Sequence, residues 1–191
     1  NGLIGSVAGF LDGTLVECCR PVRDQQLFFN GWKEIHAVKF QAVSFPDGII
    51  GSIFGALVGR HNDRYVLNAS GLRELILDIR IRHNFHFTLY GDKGYTQDEF
   101  VLVPFREPLN FHRAFINYVE ARHRVTVEYA FKDVKMSFQH FDAFLKVKCL
   151  QAPVGAYFIV CCLFRNLLTC LYGNQTSRQF GCPPPTIHEY L

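Results

Sequence analysis

Two rhythms of apolar and polar residues run along this chain, one of period two and one of steps of three and four, and together they predict its elements. From Trp32 to Ser44, Ile35, Ala37, Lys39, Gln41 and Val43 interleave with His36, Val38, Phe40 and Ala42. Pro46-Asp47-Gly48 supplies a turn and Ile49 to Leu57 returns, which predicts a β-hairpin. Ser6 to Leu11 is small and apolar and stops at Asp12-Gly13, the pattern of a buried strand ending in a turn. Phe85 to Tyr90 reads as another strand, stopped by Gly91-Asp92. Leu15 to Asn30, with Pro21 and several charges, reads as a loop.

The helical rhythm follows. Asn62 or Asp63 can cap a helix continuing through Leu67, and Leu72, Leu75, Ile76 and Ile79 keep helical spacing beyond it. Helical pattern spans about Leu109 to Leu145, with room for a break near Arg122 to Thr126; Val127, Phe131, Val134, Phe138, Phe141 and Leu145 form one apolar stripe. A last helix covers Gly155 to Leu171, and Pro183-Pro184-Pro185 leads into a short tail. The order strand, hairpin, helix, strand, helices predicts a mixed sheet flanked by helices, with chemistry at strand ends.

Composition bounds the reading. A chain of 191 residues that is 49% hydrophobic, with 19 Phe, holds enough apolar mass for one packed domain and is not a disordered segment. A net charge of +3 permits nucleic-acid binding without requiring it. Cations are concentrated between Asn110 and Lys148, where Arg113, Arg122, Arg124, Lys132, Lys135, Lys146 and Lys148 face only Glu120, Glu128, Asp133 and Asp142. Seven cysteines with no paired metal-ligand spacing, two of them in the apolar run at Cys161-Cys162, suit a reduced, intracellular setting. The sequons at Asn68 and Asn174 read as incidental. The apolar run Ala152 to Phe164 is interrupted by Arg165 and Asn166, short of the ~20 residues that span a bilayer, so it predicts a buried helix and no membrane association. The chain starts at Asn1 and its single methionine is Met136, which predicts a fragment of a longer protein.

Three acids carry the candidate chemistry. Asp12 lies in Gly-Phe-Leu-Asp-Gly-Thr, Asp92 in Leu-Tyr-Gly-Asp-Lys-Gly-Tyr and Glu128 in Val-Glu-Tyr-Ala-Phe-Lys. Each alone has a plain explanation: a turn at Asp12, an Asx turn at Asp92, and a salt bridge from Glu128 to Lys132. Jointly they predict more. If the strands ending at Leu11 and Tyr90 are parallel neighbours, Asp12 and Asp92 emerge on one sheet edge, and Glu128 sits at the border of an inward-facing helical stripe. Arg124, Lys132 and Lys135 share the side of Glu128 at helical spacing, which suits a phosphate backbone. Two Asp at strand ends and a Glu on a helix is a donor set that holds Mg²⁺ or Mn²⁺ for phosphodiester cleavage. Asp63, in Gly59-Arg60-His61-Asn62-Asp63, is a fourth candidate ligand or else a helix cap, and Arg60 and His61 either touch phosphate or hold the loop.

These motifs, with Gly31-Trp32-Lys33 and Phe40-Gln41 between them, resemble in content and order the PIF/Harbinger DDE transposases, including the harbinger transposase-derived nucleases. The likeness runs from about Gly9 to Phe141, with a further echo at Leu171 to Thr176. It implies an α/β, RNase H-like mixed five-stranded sheet flanked by helices, with an endonuclease core over 1–148 and a C-terminal helix and tail over 149–191 packed on the same domain. It also implies a divalent metal cofactor held by Asp12, Asp63, Asp92 and Glu128, with Asp12, Asp92 and Glu128 catalytic and Arg124, Lys132 and Lys135 on the DNA backbone. The partners implied are DNA, a Myb-like or helix-turn-helix DNA-binding protein or missing N-terminal domain, and a second copy of the chain; the location implied is nuclear. Asn62, Leu15 and Lys132 depart from residues common in the family, yet no acid is lost. Two rival readings remain: a catalytically silent, domesticated DNA- or protein-binding module, and a metal-dependent hydrolase of RNA or small phosphate esters.

Overall fold

The structure, a computed structural model, describes residues 7–138, 148 and 153–191, and the side chains of residues 120 and 122–127 lie outside the described set. Strand β1 spans Val7–Glu17, β3 Ile35–Ser44 and β4 Ile50–Val58, and the three pair antiparallel with β3 in the middle. After β4, helices α2 (Asp63–Ala69) and α3 (Leu72–His83) lead to β5 (Thr88–Tyr90), which lies parallel to β1, and then to β6 (Val101–Leu102), parallel to β5. A short helix α1 (Gln25–Phe28) and strand β2 (Phe29–Asn30) occupy part of the stretch expected to be a loop; β2 pairs with the start of β3. The sheet order is β2-β3-β1-β5-β6, with β4 also on β3, so the described residues form six strands where five were expected. Helices α4 (Phe111–Ser137), α5 (Val154–Tyr172), α6 (Gln175–Phe180) and α7 (Ile187–Tyr190) complete the chain.

Alternation along the central strands builds two cores. Val16, Val38, Phe40 and Ala42 face Phe131 and Val134 of α4 and Phe158 and Cys162 of α5. On the other face Leu11, Val43 and Leu89 meet Leu67 of α2 and Leu72 and Ile76 of α3. The result is an RNase H-like layering of helices on both faces of a mixed sheet. The β3–β4 turn forms where Pro46-Asp47-Gly48 predicts it: Phe45 and Gly48 close it with backbone hydrogen bonds, Asp47 accepts from the Ile49 amide at 2.9 Å, and Gly48 takes φ 85°.

Several expectations are corrected. The predicted turn at Asp12-Gly13 is absent, because β1 continues to Glu17 and pairs Asp12 with Ala42 and Gly13 with Gln41. The glycine serves close approach, not a turn: a Cβ on Gly13 would lie 2.4 Å from Asp63 Oδ1. The strand predicted from Phe85 is regular only over Thr88–Tyr90. The long helix begins at Phe111, capped by Asn110, and its backbone runs unbroken through 122–126. Of its apolar stripe, Phe131 and Val134 are buried, while Val127, Phe141 and Leu145 lie outside the described side chains. The C-terminal tail folds into α6 and α7, each closed by a capping box, at Asn174/Ser177 and at Thr186/Glu189.

Helix α5 buries one stripe only. Val154, Phe158, Cys162, Asn166 and Thr169 are inside, whereas Val160, Phe164, Leu171 and Tyr172 are exposed among the described residues. At 19 residues and a mean hydropathy of 1.8 it is long and apolar enough to cross a membrane by length and composition. It packs on β4 and α4, and buried Asn166 accepts from the Ile50 amide at 2.9 Å and donates to its carbonyl at 2.8 Å. Burial lifts the Cys162 thiol, helped by Cys161, to about 12, so it serves as core filler.

Candidate active site

Parallel pairing sets the position of the first two acids. Phe10 of β1 lies opposite Tyr90 of β5, and Asp12, inside β1, and Asp92, just past the end of β5, each follow two residues later, so both sit at the end of the sheet where β5 stops and β1 continues. Each carboxylate is held by a nearby amide: Asp12 Oδ1 accepts from Gly13 N at 2.8 Å, and Asp92 Oδ1 from Gly94 N at 2.8 Å. Asp12 and Asp92 line one wall of a cleft of about 830 Å³ whose other wall is α4, contributing Glu128, Lys132 and Lys135. Glu128 and Lys132 are exposed, as the border position of the apolar stripe predicts.

Lys135 has a different job from the one its spacing suggested. Its ammonium donates to Thr14 Oγ1 at 3.0 Å and to the Leu15 carbonyl at 2.8 Å, tying α4 to β1 just beyond Asp12. Burial lowers its pKa, and the Asp12 carboxylate partly counters that. Lys132 instead lies 5.9 Å over the Tyr129 ring. The Arg124 side chain lies outside the described residues.

Asp63 reaches the same edge from the other face of the sheet. The helix cap is Asn62, whose side chain accepts from Tyr65 N at 2.8 Å, so the Asp63 carboxylate is released from that duty. Its Oδ1 pairs with buried Lys39 Nζ at 2.9 Å. Its Oδ2 lies toward Asp92: a Cβ on Gly94 would meet Asp92 Oδ1 at 3.0 Å and Asp63 Oδ2 at 3.1 Å. Glycines at 13 and 94 thus make the slot in which the carboxylates approach one another. His61 stacks on Tyr65, ring centroids 3.8 Å apart, which favours the loop-holding role for it.

Two functional neighbours escaped the sequence reading. Lys39 appeared only as the polar phase of a strand, yet β3 is central and covered on both faces, so a charged residue there signals a buried partner. Tyr95 is 2% exposed and its hydroxyl has no hydrogen-bond partner among the described residues. Burial first, then the carboxylates of Asp63, Asp12 and Asp92, hold its pKa well above 10.0. All three carboxylates therefore lie within electrostatic range of one buried phenol.

The oxygen-rich donor set suits a hard divalent cation. Among the described residues, however, no three His, Cys, Asp or Glu side chains stand close enough together to hold a metal ion. The donors share a cleft and a sheet edge without closing into a cage. Among the described residues, Cys161, Cys162, Cys170 and Cys182 are free thiols.

A family model described as DDE superfamily endonuclease matches residues 11–166. The chain belongs to that family. The match opens beside Asp12, spans Asp63, Asp92 and Glu128, and closes at Asn166. Neither the comparison with curated proteins nor that with solved structures returned a match. Membership supports a nuclease- or transposase-type function on DNA for this endonuclease domain, in a family that generally uses divalent metals.

Proposed function

We propose that this DDE endonuclease is the catalytic core of a PIF/Harbinger-type nuclease or transposase that cleaves DNA with Mg²⁺ or Mn²⁺ held by Asp12, Asp92 and Glu128. The observation that carries the reading is the matched emergence of Asp12 and Asp92 from parallel neighbours into a cleft that Glu128 also lines. A bound divalent cation supplies Lewis acidity at the phosphate and a more acidic water at neutral pH. The chain supplies orientation. Gly13 and Gly94 amides aim the two aspartates, and Lys39 occupies one oxygen of Asp63 so that the other faces Asp92. Lys132, with Arg124, offers cations that place the DNA backbone without reading its sequence. Lys135 fixes the distance between α4 and β1, and therefore between Glu128 and Asp12. A freed 3′-OH seated where the water attacks would extend the same chemistry to strand transfer. DNA targeting would rest on a helix-turn-helix or Myb-like partner or domain, in the nucleus.

The test is nicking of supercoiled DNA in Mg²⁺. Asp92→Asn should abolish it, a loss of at least about a thousandfold when a group central to charge stabilisation is removed. Nicking by that variant at the wild-type rate would refute the assignment. One observation favours the second reading, a catalytically silent DNA- or protein-binding module: the carboxylates do not stand in joint metal-binding reach. Calorimetric titration with Mn²⁺ separates the two, since a silent module shows no saturable site that Asp92→Asn removes.

A further inference from the structure

Some cations of the described chain are committed. Arg73 pairs with Asp98 and Arg165 with Asp133; Arg80 holds the Phe87 and Glu99 carbonyls; Lys39 and Lys135 are engaged as above. Arg82 pairs with Asp78. Arg64, Lys93 and Arg106 are among the several cations that carry no ion pair among the described residues, and all three are exposed. They come from separate parts of the chain, the first turn of α2, the loop after β5 and the loop after β6, yet they line two clefts that adjoin each other and the acidic cleft through shared lining residues.

The acidic cleft meets a second cleft of about 420 Å³ at Asp92, which lines both; Lys93, Pro104 and Asn117 line the second. The second meets a third, of about 320 Å³, at Pro104, and Arg64, Phe105 and Arg106 line the third. Beyond Asp92 the described linings of these two clefts contain no carboxylate. The floor is fixed: Asn117 both accepts from the Phe105 amide and donates to its carbonyl at 2.9 Å, and Arg113 lies 5.3 Å over the Phe105 ring. Adjoining clefts that begin at the acid cluster and, beyond Asp92, carry only positive charge among their described lining residues fit a polyanion.

We propose that these clefts form a track for the DNA phosphate backbone on the β6 side of the cleavage position, with Lys93, Arg64 and Arg106 as successive phosphate contacts. The proposal rests on the nuclease reading above and adds which surface the substrate follows after leaving the acidic cleft. The three cations position the backbone and take no part in bond cleavage.

The experiment measures fluorescence anisotropy of a labelled DNA duplex with the full chain in EDTA, so that binding is read without cleavage, across about 50 to 200 mM salt. Each phosphate contact contributes about 0.9 to the slope of log K against log salt. The triple variant Arg64→Gln, Lys93→Gln, Arg106→Gln should lose between two and three units of slope and bind roughly ten- to a hundredfold more weakly at about 0.15 M salt. Arg82→Gln, an exposed cation on α3 away from these clefts, should leave slope and affinity within about twofold. Circular dichroism melts confirm that the variants fold. A triple variant with the wild-type slope and affinity overturns the track and leaves the metal site to its own test at Asp92. A wild type that binds no DNA in EDTA also overturns the track, while the nuclease reading stands or falls with the nicking assay at Asp92.

Discussion

Two polar regions are built on the β3–β4 hairpin, and they are finished to different standards. At the turn, Asn166 satisfies both backbone groups of Ile50 and donates to the Tyr190 hydroxyl at 2.9 Å, while Asn174 donates to the Gly48 carbonyl at 2.9 Å and caps α6 through Ser177 N at 2.8 Å. Midway along β3, Gln41 Oε1 and the Tyr95 hydroxyl are buried with no hydrogen-bond partner among the described residues, the Lys39 ammonium pairs with Asp63, and Asp12 and Asp92 act with Asp63 on the same phenol. Saturated buried amides lock geometry, which is what a structural joint needs. Unsatisfied donors and gathered like charges cost stability, and they persist where a ligand or reaction makes use of them. The burial of Asn174 also settles its sequon: a fully engaged amide nitrogen has no room for a glycan in the folded chain.

That contrast breaks most visibly at the joint. Asn166→Leu keeps the branched heavy-atom outline of the side chain but leaves the Ile50 N–H and C=O without their Asn166 partners in the core, at a cost of about 2–5 kcal/mol in urea denaturation. A loss under about 1 kcal/mol would mean that the joint holds nothing.

The next effect sits in the active region and is asymmetric. Lys39 has a side chain 9% exposed and Asp63 one 26% exposed. Asp63→Asn strands a buried ammonium and should cost about 2 kcal/mol, less than the ~3–5 typical of a fully buried pair because water reaches the aspartate side. Lys39→Met removes the buried charge and leaves a carboxylate that water still reaches, so its cost should be under about 1 kcal/mol. Equal losses in the two variants would show that the pair is not oriented as described.

The legibility of the two regions differs for the same physical reason. Long alternating strands and acids at the ends of apolar runs are local patterns, so the hairpin, the parallel neighbours of Asp12 and Asp92 and the flanking helices could be read from sequence. Asp12-Gly13 is a turn dipeptide by local preference, but ten residues of β3 offered a ladder that overrode it. Strand β6, two residues long, has no period to detect. The choice of Asn62 over Asp63 as cap, and the pairing of Lys39 with Asp63 across the sheet, exist only once β3 and α2 have packed. Asn166, which looked like an interruption of an apolar run, is instead the residue that attaches α5 to the hairpin.

The smallest predicted effect is the sharpest probe of the unfinished region. Tyr95→Phe removes a buried hydroxyl that no group among the described residues satisfies, so stability near neutral pH should be unchanged or higher by up to about 1 kcal/mol. The pH dependence carries the sign. In the unfolded chain the phenol loses its proton near 10.0, whereas in the folded chain burial and the Asp63, Asp12 and Asp92 carboxylates hold the proton on. Above about pH 10 the folded state therefore binds more protons than the unfolded one, and stability falls as pH rises; below it, Tyr95 contributes no slope. Tyr95→Phe should make the decline above pH 10 shallower, measured by urea denaturation at successive pH values. Asp63→Asn should lower the pH at which the tyrosinate absorbance of Tyr95 appears, because the largest of the three carboxylate influences is gone. An unmoved titration would mean that the Asp63 carboxylate does not act on that hydroxyl, and the account of a shared electrostatic setting for Asp63, Asp12 and Asp92 would fail.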